Sequence, residues 1–137
     1  MLDDYEEGTF TPAFKAENNS SNATTTVNEA QYTKIGNVVY FRLYIQLAAH
    51  ATGTTGGSAF INNLPFTSVS GHSSIDVGYF ANWAANQMYV TGTVQPSSNS
   101  LLFRHYTSAS SATGNMDYDN NLHVGSNVIV SGVYQAA

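Results

Sequence analysis

Asn37-Val38-Val39-Tyr40-Phe41-Arg42-Leu43-Tyr44-Ile45-Gln46-Leu47 decides the fold class. Val39, Phe41, Leu43, Ile45 and Leu47 alternate with Val38, Tyr40, Arg42, Tyr44 and Gln46, and a period of two is the mark of a strand with one buried face. The opposite face is not fully polar. Tyr40 and Tyr44 carry large apolar rings with a hydroxyl tip, which suit a subunit interface or a half-covered sheet. Upstream, residues 31–35 followed by Gly36-Asn37 read as a strand ending in a tight turn, because Gly and Asn supply the positive φ that hairpin turns need. Residues 31–47 are therefore expected to form a hairpin.

Outward from that hairpin the same grammar recurs. Residues 8–14, 59–64, 74–80, 88–94, 101–106 and 127–134 are short runs rich in β-branched or aromatic residues, separated by Ser, Thr, Asn and Gly. No window holds the spacing of an amphipathic helix for more than about a turn. The expected class is all-β, a two-sheet β-sandwich of jelly-roll-like type, since closure of that kind manages exposed sheet edges. Residues 50–57 and 107–114 are too small and polar to bury area and are expected to be loops. No internal repeat is present. The run at 127–134 ties the C-terminal end into a sheet.

With 137 residues, one core and one domain are expected, with residues 1–8 as a lead-in segment. The chain is 42% hydrophobic but only 9% charged, so its surface must be built largely from Ser, Thr, Asn, Gln and Gly. Such a surface suits proteins that face polar, uncharged material such as sugars. Lys15, Lys34, Arg42 and Arg104 are the only fixed cations, they do not cluster, and the net charge is -5, which argues against nucleic-acid binding. The absence of cysteine excludes a disulfide framework and thiolate metal sites. No apolar run approaches the length of a membrane span, and the acidic start is the opposite of a signal peptide's basic region.

Catalytic constellations are weak. Gly71-His72-Ser73-Ser74 with Asp76 lacks the second glycine of a nucleophile elbow, and reads better as a serine-rich turn. Asp117 and Asp119, if extended, would share a strand face about 7 Å apart, which fits a glycosidase pair or a polar loop equally well. Oxygen ligands at alternating positions in Asn115-Met116-Asp117-Tyr118-Asp119-Asn120 also make Asp117 and Asp119 candidate calcium ligands, without the Glu an EF-hand loop requires. His50, His72, His105 and His123 show no metal spacing. No catalytic residue is assigned and no cofactor is expected beyond that calcium alternative.

Sugar recognition needs a flat aromatic face beside amide and carboxylate groups. Trp83, in Tyr79-Phe80-Ala81-Asn82-Trp83-Ala84-Ala85-Asn86, is the first candidate platform, with Asn82 and Tyr79 beside it; the alternative places Trp83 in the core or an interface. Tyr118 with Asp117 and Asn120, and Tyr106 with His105, are the second-choice platforms.

Leu2-Asp3-Asp4-Tyr5-Glu6-Glu7-Gly8-Thr9-Phe10-Thr11-Pro12 resembles a segment of bacteriophage tail-fibre and tailspike proteins that introduces their last globular domain. Tyr32-Thr33-Lys34-Ile35-Gly36-Asn37-Val38-Val39 and Asn63-Leu64-Pro65-Phe66-Thr67-Ser68 resemble the next two blocks in the same order, whereas residues 71–121 look individual. The resemblance implies a C-terminal receptor-binding and trimerisation domain: a homotrimer on a fibre stem, located on the virion tail, made in the host cytoplasm, and binding host cell-surface polysaccharide without catalysis or membrane insertion. The carboxylates Asp3, Asp4, Glu6 and Glu7 fit either a stem junction that meets cations or a solvated acidic edge. The rival expectations are a purely structural trimerisation cap and a carbohydrate-binding module of a depolymerase or secreted enzyme.

Overall fold

The computed structural model describes residues 4–84, 87–106, 108 and 112–137. Among these, ten antiparallel strands form one sheet: β1 Tyr5–Thr9, β2 Ala13–Ala16, β3 Thr24–Ile35, β4 Val38–Ala49, β5 Ala59–Asn62, β6 Ser73–Trp83, β7 Tyr89–Val94, β8 Leu101–Tyr106, β9 Gly114–Asn115 and β10 Leu122–Gln135. A single helical turn, α1 Tyr118–Asn121, precedes β10. The sheet order is β1-β3-β4-β10-β6-β7-β8-β5-β2, with β9 beside β8. Hydrogen bonding is continuous along this path, so the layers expected as two sheets are two halves of one curled sheet.

The expected hairpin is present. Ile35 pairs with Val38 across a two-residue turn in which Gly36 has φ 60°. The alternation on β4 behaves as its period requires: Val39, Phe41, Leu43, Ile45 and Leu47 are all buried, while Tyr40 and Arg42 face solvent. Strand β10 pairs with β4 on one side and β6 on the other, which places Val128, Val130 and Tyr134 at the centre of the core.

Curling occurs where ladders are short. β6 and β7 share only the pairs Ser73↔Val94, Ser74↔Thr93 and Ile75↔Gly92, and β5 meets β8 only at Phe60↔Leu102 and Ile61↔Leu101. At the first corner a Cβ on Gly92 would lie 2.5 Å from the Leu102 carbonyl oxygen, so the bend needs a residue without a side chain. The β2 end of the sheet curls back onto the start of β3, where the Ala23 amide donates to the Phe14 carbonyl at 2.8 Å and the Phe14 amide donates to Thr25 Oγ1 at 3.0 Å. One edge is thereby covered. The half-barrel holds Phe14, Phe41, Phe103, Tyr118 and Tyr134 in a common core.

Several expected boundaries move. The run at 8–14 is two strands on opposite edges: β1 pairs with β3 and β2 with β5, broken around Pro12, which has no amide to donate. β3 starts upstream at Thr24, in a threonine-rich stretch with little hydrophobic alternation, and β10 starts at Leu122 ahead of a bulge between Leu122 and Asn127. β6 runs to Trp83, beyond the end expected at residue 80, so Trp83 belongs to a strand. Residues 117–121 form a capped helical turn, so Asp117 and Asp119 are not an extended pair on a strand face. Residues 107 and 109–111 of the loop expected at 107–114, together with Asp3, Ala85 and Asn86, lie outside the described residues, and Gly114 at its end belongs to β9.

Candidate carbohydrate-binding surfaces

Asn82 and Trp83 sit opposite the β10 bulge. Asn82 adopts φ 58°, donates from Nδ2 to the Gly125 carbonyl at 3.2 Å, and accepts on its own carbonyl from Ser126 Oγ at 2.7 Å. Trp83 donates from Nε1 to the Asn127 carbonyl at 2.9 Å, and its ring packs edge-on against Phe103, centroid to centroid 5.2 Å, and beside Phe80. Both the indole N–H and much of the ring are therefore occupied by the fold. This is the anchoring alternative for Trp83; an open platform would leave its face and N–H available.

Two of the remaining candidates, Asp117 and His105, meet through Asn121, which is buried and for which the sequence carries no expectation. Its Oδ1 accepts from Gln87 Nε2, its Nδ2 donates to the Asp117 carbonyl at 2.8 Å, and its own carbonyl accepts from the Ala84 amide at 3.0 Å. Gln87 Oε1 in turn accepts from His105 Nδ1. Because that oxygen has no proton, the His105 Nδ1 carries one, and partial burial holds the imidazole below its usual pKa. Asp117 caps the turn, its Oδ1 accepting from the Asn120 amide at 2.9 Å. The polar groups of this cluster satisfy one another, a structural latch between β6, β8 and α1.

Tyr118 is corrected more sharply. Only 1% of it is exposed, its hydroxyl meets His50 Nδ1 at 3.2 Å, and burial pushes its pKa up to about 12, so it has no free face for a sugar. Asp119 and Asn120 remain exposed at the surface. Tyr106 is half-buried against the exposed Tyr89, with ring centroids 6.0 Å apart. Tyr79 is far from the Asn121 cluster in role: it points outward from β6, opposite Ile129. Among the described residues no group of three or more His, Asp or Glu side chains could hold a metal ion.

A different arrangement with sugar-like complementarity lies on the outer face of β2 and β5. A depression of about 230 Å3 is lined by Lys15, Glu17, Phe60, Asn62, Ser98 and Ser100. Lys15 and Phe60 are direct cross-strand partners, so the ammonium stem and the ring are neighbours on one face. The Ser98 and Ser100 hydroxyls are 2.8 Å apart, and the Glu17 carboxylate accepts from the Ser58 amide at 3.0 Å, which lowers its pKa. The signal was present in the sequence: Phe60 lies between the buried Ala59 and Ile61, and Lys15 between the buried Phe14 and Ala16, so both must point outward.

Two larger depressions of about 520 Å3 each flank Tyr40 on the outer face of the other half-sheet, one against Glu7, Gln31, Thr33 and Arg42, the other against His72, Ser74, Asp76 and Ser131. Arg42 is held there by an ion pair with Glu29 at 2.7 Å and by Gln31 Oε1 at 2.8 Å.

No protein-family model and no curated protein matches the chain. Among solved structures, the tailspike protein of Dettilon superposes with a TM-score of 0.75 over 96% of this chain, at 14% sequence identity. The fold is that of a tailspike segment. The chain spans 24% of that tailspike's length. The likeness therefore extends over nearly the whole chain but concerns one part of a much longer protein.

Proposed function

We propose that the chain is a module of a phage tail fibre or tailspike, carried on the virion tail as a homotrimer on a fibre stem, that binds host cell-surface glycan without catalysing its cleavage. The observation that carries this reading is the near-complete superposition on a tailspike segment. The three sequence blocks that resemble tail-fibre domains lead to the same role and to a position at the C-terminal end of the parent protein.

The best-equipped sugar site is the Lys15–Phe60 depression. Phe60 offers a ring for the C–H face of a pyranose, Lys15 donates, Glu17 accepts, and the Ser98 and Ser100 hydroxyls can do either. One cation and one anion line it, so a neutral hexose or N-acetylhexosamine fits better than a uronic acid. At about 230 Å3 it holds a single ring, below the usual size of a small-molecule pocket, and the expected affinity of one site is weak. Several copies on one particle convert weak sites into firm attachment, with gains of roughly 10²–10⁴ when geometry permits simultaneous engagement. The exposed Tyr89 beside Tyr106 offers a second aromatic surface.

The test is an array of host-derived capsule and lipopolysaccharide fragments probed with the wild-type chain and with Phe60→Ala. Wild-type binding that Phe60→Ala reduces at least tenfold, with the melting temperature little changed, is expected. An array on which the wild-type chain retains nothing would overturn the glycan reading and leave the structural-cap alternative. Release of new reducing ends from the fragments would instead make the module a depolymerase.

A further inference from the structure

We infer that the outer face of the half-sheet β1-β3-β4-β10-β6 is covered by further copies of this chain. The inference rests on the trimer part of the proposed function and names the surface that would build it.

The register dictates which side chains share this face. Tyr5 pairs with Ile35 and Ile35 with Val38, giving one cross-strand row; Thr33, Tyr40 and Val133 form the next. Tyr5, Ile35, Val38, Tyr40 and Val133 are each 41–50% exposed. Beyond a polar row of Gln31, Arg42, Ser131 and Asp76, the apolar character returns with Ile129 and Tyr79 on paired positions of β10 and β6. In two groups divided by that polar row these side chains offer on the order of 600 Å2 in all, where a monomer's largest contiguous patch is about 300–600 Å2. With the polar row between them included, the face approaches the roughly 800 Å2 that each partner contributes to a standard stable interface.

Chemistry separates a second copy from a sugar as the occupant. Ile35, Val38, Ile129 and Val133 are branched aliphatic side chains with neither a flat ring nor a hydrogen-bonding group, so a glycan laid over them would desolvate its hydroxyls without return, whereas Tyr5, Tyr40 and Tyr79 on the same face suit either occupant. A protein surface of the same composition has no such cost. The depressions on either side of Tyr40 give the face sockets that protruding side chains of a neighbour can fill.

Charge adds complementarity between copies. Arg42 and Asp76 lie on one row with Ser131 between them, the cation towards β3 and the anion towards the β7 corner. Asp76 of one copy can face Arg42 of another, where it would join Glu29, the intrachain partner of that guanidinium. A two-fold pairing centred on Ser131 and a ring of copies both satisfy this match.

Light scattering on the wild-type chain, Tyr40→Ser, Val133→Asp and Asp76→Lys, each checked for native far-ultraviolet circular dichroism, tests the inference. Each altered residue is exposed, so a folded product is expected. The expected result is a wild-type mass of a small integral number of 14.7 kDa chains, falling to one chain in Val133→Asp, shifted towards one in Tyr40→Ser and Asp76→Lys, with Asp76→Lys recovering when Arg42→Glu is added. A monomeric wild type would overturn the inference. So would an oligomer that all three substitutions leave intact, which would move the interface elsewhere while sparing the trimer reading. Glycan-array binding is read in parallel: a monomer that binds sugars and loses them on Tyr40→Ser would identify the face as the sugar surface instead.

Discussion

Tyr134 shows how much of this fold depends on single polar atoms. Its hydroxyl accepts from the Phe66 amide at 3.1 Å and donates to the Phe66 carbonyl at 3.0 Å, pinning the loop after β5 beneath the last strand. Tyr134→Phe leaves both backbone groups unpaired in a buried setting and is expected to cost about 1–3 kcal/mol in urea unfolding. Burial holds both Tyr134 and Tyr118 protonated, with pKa values raised to about 12. Tyrosine in an unfolded chain ionises near pH 10, so this stability is fully present below about pH 10 and is lost as pH rises towards about 12. Unfolding curves across that window, with tyrosinate absorbance followed in parallel, check the sign; an unchanged midpoint would show that the hydroxyls are solvated. Trp83→Ala, on the geometry described, destabilises the protein by about 3 kcal/mol through lost packing on Phe103 and Phe80, before any effect on binding is visible.

At the scale of elements, β4 was legible because one face is wholly apolar and the period is strict, and the Gly36-Asn37 turn fixed its partner. Residues 101–106 were bounded correctly for a simpler reason: an apolar start and turn residues just ahead of it. β3 was read short because Thr24, Thr25 and Thr26 pair through backbone groups without an apolar signal. The helical turn at Tyr118 was missed because four residues are too few for any periodicity, although Asp117 followed by Asn120 carries its capping bond. For the candidate site the sequence supplied residue types and not orientation. His105 and the Asp117 carbonyl are joined through Gln87 and Asn121, while the Trp83 N–H turns separately to the Asn127 carbonyl, so these polar atoms face into the fold. Lys15 and Phe60, which do face outward together, are brought into register only by the pairing of β2 with β5. At the β6–β7 corner Gly92→Ala should open the bend, because the added methyl meets backbone and not a movable side chain; a loss of 2 kcal/mol or so in thermal unfolding is expected.

For the whole molecule, a curled sheet with one covered edge and one open one leaves two outer faces of different character. One carries Tyr5, Ile35, Val38, Tyr40 and Val133 and is the face proposed to meet other copies of the chain; the other carries Lys15, Glu17, Phe60 and Asn62 and is the proposed sugar site. If association stabilises the fold, the thermal midpoint must rise with protein concentration, because binding that is selective for the native state adds to its stability by mass action. A midpoint independent of concentration over a hundredfold range would place the folded state and its association on separate footings. The division of labour between faces also predicts independence: Val133→Asp should weaken association without altering the sugar affinity of a single site, and Phe60→Ala the reverse. Glycan binding at the Lys15–Phe60 depression is tested most directly by amide chemical-shift mapping while methyl glycosides of glucose, galactose, mannose, rhamnose and N-acetylglucosamine are titrated into the wild-type chain. Saturable shifts centred on Lys15, Phe60, Asn62 and Ser100 for at least one of them are the predicted result, and shifts confined to other surfaces, or none for any glycoside, would contradict it.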